Sequence, residues 1–144
     1  MRLDKHMEIL KEVDETVSEA LKSRDILTHQ RRLISMLSIG AQQLLEAYFH
    51  RLNVIKPGTQ VKHEWFGMGE RNLDDKLASI LTTKTGKIPR LGEVLVFARR
   101  IESGRNELIY GSPAVDGRLL REKIDAFLEM KRLTGVVDGH KSRA

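Results

Sequence analysis

The chain has 144 residues, no cysteine and a formal net charge of +5, a length that fits one domain around a single buried core. Lack of cysteine excludes a disulfide framework and a thiolate metal site, and it fits a reducing compartment. The opening Met-Arg-Leu-Asp-Lys-His lacks the apolar core of a signal peptide. The longest apolar run, Leu33 to Ala41, is broken by Ser35, Ser38 and Gly40 and falls far short of the roughly 20 residues of a membrane span. A soluble cytoplasmic protein with no membrane segment is expected.

Helical periodicity dominates from the start. Leu3, Met7, Leu10, Val17 and Leu21 recur at heptad-like spacing, with Asp14 interrupting the stripe. A short polar link at Ser23 to Asp25 leads to a second helix over about Thr28 to Leu52. Its stripe is Leu33, Leu37, Ala41, Leu44, Leu45, Tyr48 and Leu52, and it stops before the breaker pair Pro57-Gly58. The link predicts an antiparallel hairpin, or else one long bent rod. Residues 53–70 read as a glycine-containing loop anchored by Trp65-Phe66.

Asn72 is a plausible N-cap for a third helix, with Asp74 and Asp75 in the first turn where carboxylates suit the helix dipole. Leu73, Leu77, Ile80 and Leu81 form its apolar face. A fourth helix from about Leu91 shows Leu91, Val94, Leu95, Ala98 and Ile101, with Gly104 as a stop or kink. After the break at Gly111-Ser112-Pro113, Asp116 caps a final helix with stripe Leu120, Ile124, Phe127 and Leu128, ending near Gly135. These elements predict an all-α, up-and-down bundle of about five helices: one domain over residues 1–137, then a flexible C-terminal tail over 138–144.

Charge is distributed unevenly. Residues 1–30 hold 5 basic and 7 acidic side chains, whereas Lys84 to Arg105 holds 6 basic and 2 acidic ones. Lys84, Lys87, Arg90, Arg99, Arg100 and Arg105 are therefore the candidate contacts for a polyanion, RNA first among them. Lys/Arg enrichment for solubility is the competing explanation.

Several other motifs are weighed and set aside. Gly86-Lys87 lacks both the earlier glycine and the following Ser or Thr of a phosphate loop. Glu46 and His50, one helical turn apart, have metal-like spacing, with His63-Glu64 as further candidates. Such an i,i+4 pair is ordinarily a solvated surface pair, so neither metal nor cofactor is expected. Trp65-Phe66 could stack on bases, but an aromatic pair in a glycine-rich loop more often plugs that loop onto the core.

The hexapeptide Arg105-Asn106-Glu107-Leu108-Ile109-Tyr110 is different in kind. In a helix, Asn106 and Tyr110 share a face, and Arg105 lies beside it. Metal-free RNA cleavage needs a base for the 2′-hydroxyl, a cation for the phosphorus centre and an acid for the leaving oxygen. Arg105 suits the cation role through its planar fork, and Asn106 suits orientation. Tyr110, a phenol with a pKa near 10, is a poor base at pH 7 but can donate a proton. The alternative is structural: Arg105 in an ion pair, Asn106 as a cap and Tyr110 packed at the rim.

The Arg-Asn pair, and the run RNELIYGSPAVDGRLLREKIDAFLEMKRL that it opens, resemble the C-terminal half of HEPN domains. The second helix, with Ala41-Gln42-Gln43-Leu44-Leu45, is similar to that family's long core helix. The resemblance implies a helical bundle, dimerisation with paired motifs across a cleft, RNA affinity and metal-independent endoribonuclease activity, often as the toxin beside a nucleotidyltransferase-type antitoxin. Arg105 and Asn106 match the motif, and Tyr110 stands where the family has histidine. The implied function is RNA binding with weak or degenerate cleavage through Arg105, Asn106 and Tyr110. The alternative is a non-catalytic interaction or assembly module, such as a partner of an antitoxin.

Overall fold

The computed structural model describes residues 2–112 and 116–136. The expected tail at 138–144 and the break at Pro113 therefore lie outside the described residues. Six α-helices appear in chain order: α1 (Leu3–Lys22), α2 (Gln30–Arg51), α3 (Glu70–Ile80), α4 (Leu91–Glu102), the short α5 (Arg105–Tyr110) and α6 (Arg118–Thr134). With α5 only a turn and a half long, this is the expected all-α bundle of about five helices. No described helix is long and apolar enough to cross a membrane.

The first two helices form a hairpin rather than a bent rod. Asp25 accepts a hydrogen bond from the Leu27 N–H at 3.0 Å and opens a short 3₁₀ turn, Ile26–His29. Glu19 meets Arg32 while His6 meets Glu46, so α1 and α2 run antiparallel. The buried face of α1 is His6, Leu10, Val13, Val17 and Ala20. This corrects the predicted stripe: Leu3 and Leu21 are exposed, whereas His6, Val13 and Ala20, left out of it, are buried.

α2 is the central element. Fourteen of its 22 residues are buried, because it packs against α1, α4, α5 and α6. Each fully buried Leu contributes about 1.5–3 kcal/mol, and Leu33, Leu37, Leu44 and Leu45 all lie at 0 % exposure. Gly40 lets the neighbours come close: a Cβ there would stand 2.8 Å from Phe127 of α6 and 2.9 Å from Val13 of α1. Leu52, read as part of the stripe, is instead exposed past the helix end.

The loop after α2 is held from both sides. Trp65 and Phe66 are buried, as an anchor requires. The Lys56 N–H donates to the Ile80 carbonyl at 2.8 Å and the Thr82 N–H to the Val54 carbonyl at 2.7 Å, flanking one antiparallel bridge between Ile55 and Leu81. α3 starts earlier than expected. Its N-cap is Gly69, whose carbonyl accepts from the Leu73 N–H, so Asn72 lies inside the first turn instead of capping it.

Gly104 occupies the left-handed region at φ 71°, a conformation glycine takes without steric cost. The chain turns there from α4 into α5. Lys123 of α6, only 4 % exposed, closes the turn: its ammonium donates to the carbonyls of Arg100, Ile101 and Ser103 at 2.5, 3.2 and 2.6 Å. These are the orphan acceptors that a helix C-terminus leaves. The N-cap of α6 is Gly117 and not Asp116 as expected; Asp116, one residue earlier, still accepts from the Arg118 N–H at 2.9 Å, and Gly135 ends the helix. Leu128, placed on the apolar stripe, is exposed, whereas Met130 and Leu133 are buried.

Candidate functional site

The hexapeptide is helical, and it lies across the first half of α2. Leu108 and Ile109 are buried, and Gln30 donates from Nε2 to the Leu108 carbonyl at 2.8 Å. Arg105 points toward α2, where its Nε donates to the Ser38 hydroxyl at 3.0 Å and its Nη1 to Asn106 Oδ1 at 3.2 Å. Asn106 thus orients the guanidinium rather than capping the helix.

Tyr110 is 79 % exposed. Five residues beyond Arg105, it is turned about 140° round the axis. The three motif side chains do not converge on one point.

A histidine is linked to Arg105 through two intervening side chains. The Ser38 hydroxyl donates to Glu102 Oε1 at 3.4 Å, and His63 Nδ1 lies 3.1 and 3.2 Å from the two Glu102 oxygens. The His63 backbone N–H donates to Gln42 Oε1 at 3.2 Å, which fixes the loop carrying the ring. Arg105, Ser38, Glu102 and His63 therefore form one connected polar chain across α5, α2, α4 and the loop.

With the proton on Nδ1, toward Glu102, Nε2 of His63 is the acceptor edge; it lies 3.7 Å from Glu64 Oε1. His63 is about 30 % exposed at its side chain and Glu102 14 %, so the carboxylate is shielded while the ring reaches solvent. His63-Glu64 was noted in the sequence as a possible ligand pair for Glu46. In space His63 belongs to Arg105. Only the fold reveals this, because the three contacts of the link span 39, 64 and 67 positions in the chain.

The six basic candidates do not form a single patch. Lys84, Lys87 and Arg90 are exposed at the start of α4, about 15 Å from Arg100 along the helix axis. Arg100 lies over the Phe97 ring, 5.1 Å from its centroid, in a groove of about 750 Å³ also lined by Glu107, Glu122 and Glu129. Arg99 shares a face of α4 with Glu102, three residues on, and its Nη1 is buried without a hydrogen-bond partner among the described residues.

Sequence reading missed Arg31. It is exposed and lines a cleft of about 550 Å³ with His29, Arg32 and Gly111, at the far end of α5. Arg31 and Ser38 are two turns apart on one face of α2, so Arg31 extends the stripe that ends at Arg105.

A second polar cluster lies between the two hairpin helices. Glu46 is buried and His50 half-buried, so the expected solvated pair is not found. The third member is His6, on the buried face of α1, and not His63. His6 Nδ1 hydrogen-bonds Gln43 Oε1, and Glu46 Oε1 accepts from the Val61 N–H at 2.6 Å.

Set against known protein families, curated proteins and solved structures, the chain matches none.

Proposed function

We propose that this protein binds RNA by its phosphate backbone along the face of α2 and α5 that carries Arg31 and Arg105. We further propose that it cleaves the chain slowly without a metal ion, with His63 supplying the base that Tyr110 does not. The observation that carries this reading is the bonded chain Arg105–Ser38–Glu102–His63. It pairs an oriented guanidinium with a carboxylate-held imidazole, which are the cation and the base that 2′-hydroxyl attack requires.

In the proposed reaction, Nε2 of His63 takes the 2′-hydroxyl proton and the 2′-oxygen attacks phosphorus. Arg105 holds the non-bridging oxygens as charge grows on them. The P–O5′ bond breaks, the 5′-oxygen takes a proton from solvent water, and a 2′,3′-cyclic phosphate remains. Glu102 keeps the imidazole in the Nδ1–H tautomer and stabilises it once protonated. The HEPN-like character, including paired copies of the motif, belongs to the same proposal.

The test is an RNA-binding titration over a range of salt, with a cleavage assay run without added divalent metal. Affinity should fall steeply with salt and drop in Arg105→Ala. Cleavage should be lost in His63→Ala while binding is retained. Salt-independent binding, or full activity in Arg105→Ala, would exclude this site.

One observation favours a second reading, that of an interaction module. The groove between α4 and α6 has an apolar floor at Phe97, Leu108 and Leu119 beneath the carboxylates of Glu107, Glu122 and Glu129. That combination suits a basic, apolar peptide segment, such as part of an antitoxin-like partner, better than it suits RNA.

A further inference from the structure

We propose that His6, Glu46 and His50 form a binding site for a divalent transition-metal ion of the zinc type, joining the first turns of α1 to the last turns of α2. Their candidate ligand atoms all lie within 4.8 Å of one another. Ligand atoms on one tetrahedral zinc stand about 3.3–3.5 Å apart, with metal–ligand bonds of about 2.0–2.2 Å. Small rotations of three side chains therefore close the site.

The strongest observation is a buried imidazole–carboxylate pair beside a second imidazole that has no partner of its own. His6 Nε2 lies 2.9 Å from Glu46 Oε2, so an imidazole and a carboxylate already face each other inside the hairpin. His50 Nε2 is shut off from solvent with no hydrogen-bond partner among the described residues. An unpartnered buried nitrogen beside a buried histidine–carboxylate pair is costly to bury. A cation held by all three removes that cost at once.

Neighbouring groups are already arranged as a metal site needs. Gln43 Oε1 accepts from His6 Nδ1, so Nε2 is the nitrogen that would meet an ion, once an ion displaces any proton it shares with Glu46. A metal-bound histidine almost always has such a partner on its other nitrogen. Val61 N–H occupies Glu46 Oε1 and leaves Oε2 turned toward His6. The ring centroids of His6 and His50 are 5.0 Å apart, tilted by 39°, so two imidazoles can flank one ion.

Two imidazoles and one carboxylate select a borderline ion over the hard, oxygen-seeking Mg²⁺ and Ca²⁺. His6 and Glu46 are 0 % and 2 % exposed, so three protein ligands plus one water entering past half-buried His50 fit four-coordinate zinc. The cluster is separate from the Arg105–His63 chain, and its occupancy does not depend on that assignment.

The test is calorimetric titration of the chelator-stripped, dialysed full-length protein with Zn²⁺, with Mg²⁺ as the hard-ion control. Co²⁺ serves as a spectroscopic probe of four-coordinate geometry. One Zn²⁺ per chain, no Mg²⁺ heat and a tetrahedral Co²⁺ spectrum are expected. His50→Ala should weaken Zn²⁺ at least about 100-fold, and Gln43→Leu, which keeps all three ligands, about 10-fold. His63→Ala should leave the affinity unchanged. Absence of stoichiometric Zn²⁺ binding by wild type overturns the proposal, as does wild-type affinity in His50→Ala. If His50→Ala does not fold, wild-type affinity in Gln43→Leu together with an octahedral Co²⁺ spectrum overturns it equally.

Discussion

Arg105 contributes to the proposed site through two hydrogen bonds that aim it and a charge that binds. Arg105→Ala removes a charge-assisted contact of about 1.5–3 kcal/mol. The expected outcome is RNA binding roughly 10- to 100-fold weaker and a salt slope shallower by about 1, read by fluorescence anisotropy across salt. His63→Ala should separate the two functions, with affinity near wild type and cleavage down by about 10²-fold or more, since a positioned base contributes about that much. Tyr110→His restores the residue that the HEPN motif carries. Because Tyr110 faces about 140° away from Arg105, we expect no gain in cleavage from the new ring. A marked gain would shift the reactive face to the outer side of α5.

At the scale of elements, the junctions around α2 and the α4–α5 turn carry the predictions. Gly40→Ala gains helix propensity but places a methyl against Phe127 and Val13. Overpacking of this kind costs about 1–3 kcal/mol, so a lower melting temperature is expected despite the propensity gain of up to about 1 kcal/mol. Lys123→Met keeps the bulk but strips three carbonyls of their donor, and a loss of about 2–4 kcal/mol is expected in urea denaturation. Burial pushes the Lys123 ammonium below the usual 10.5, so the folded state binds that proton less tightly than the unfolded chain. Stability from this group therefore rises with pH between the folded value and 10.5. Wild type should show that alkaline increment, and Lys123→Met should lack it.

For the whole molecule, helical periodicity carried most of the architecture. Apart from Leu52, the stripes on α2, α3 and α4 lie on their packed faces, and the glycine stops at 104 and 135 fall where the chain adopts left-handed backbone. The stripe on α1 went wrong because His6 was not counted as a core residue. Extending Leu10, Val13, Val17 and Ala20 back by one turn lands on His6, so the signal was present but carried by a polar side chain. The hexapeptide's helical state was legible, whereas its partners were not. Ser38 and Glu102 are joined to Arg105 and His63 by tertiary packing, which no local spacing encodes. The basic stretch, compact in sequence, is split between the two ends of α4 because the helix Leu91–Glu102 holds its start and end about 15 Å apart.

α2 supplies residues to both polar clusters: Ser38 and Gln42 to the Arg105–His63 chain, then Gln43, Glu46 and His50 to the hairpin cluster. The helix thus works as a keyed shaft whose rotation sets both ends together. Removing a single residue between Ser38 and Gln42 turns everything beyond it by about 100° relative to what precedes it. Gln42 would then leave the His63 loop, and Glu46 and His50 would swing away from His6, although no residue of the hairpin cluster had changed. Side-chain replacements along this helix are local events, but a change in its length acts on both clusters at once.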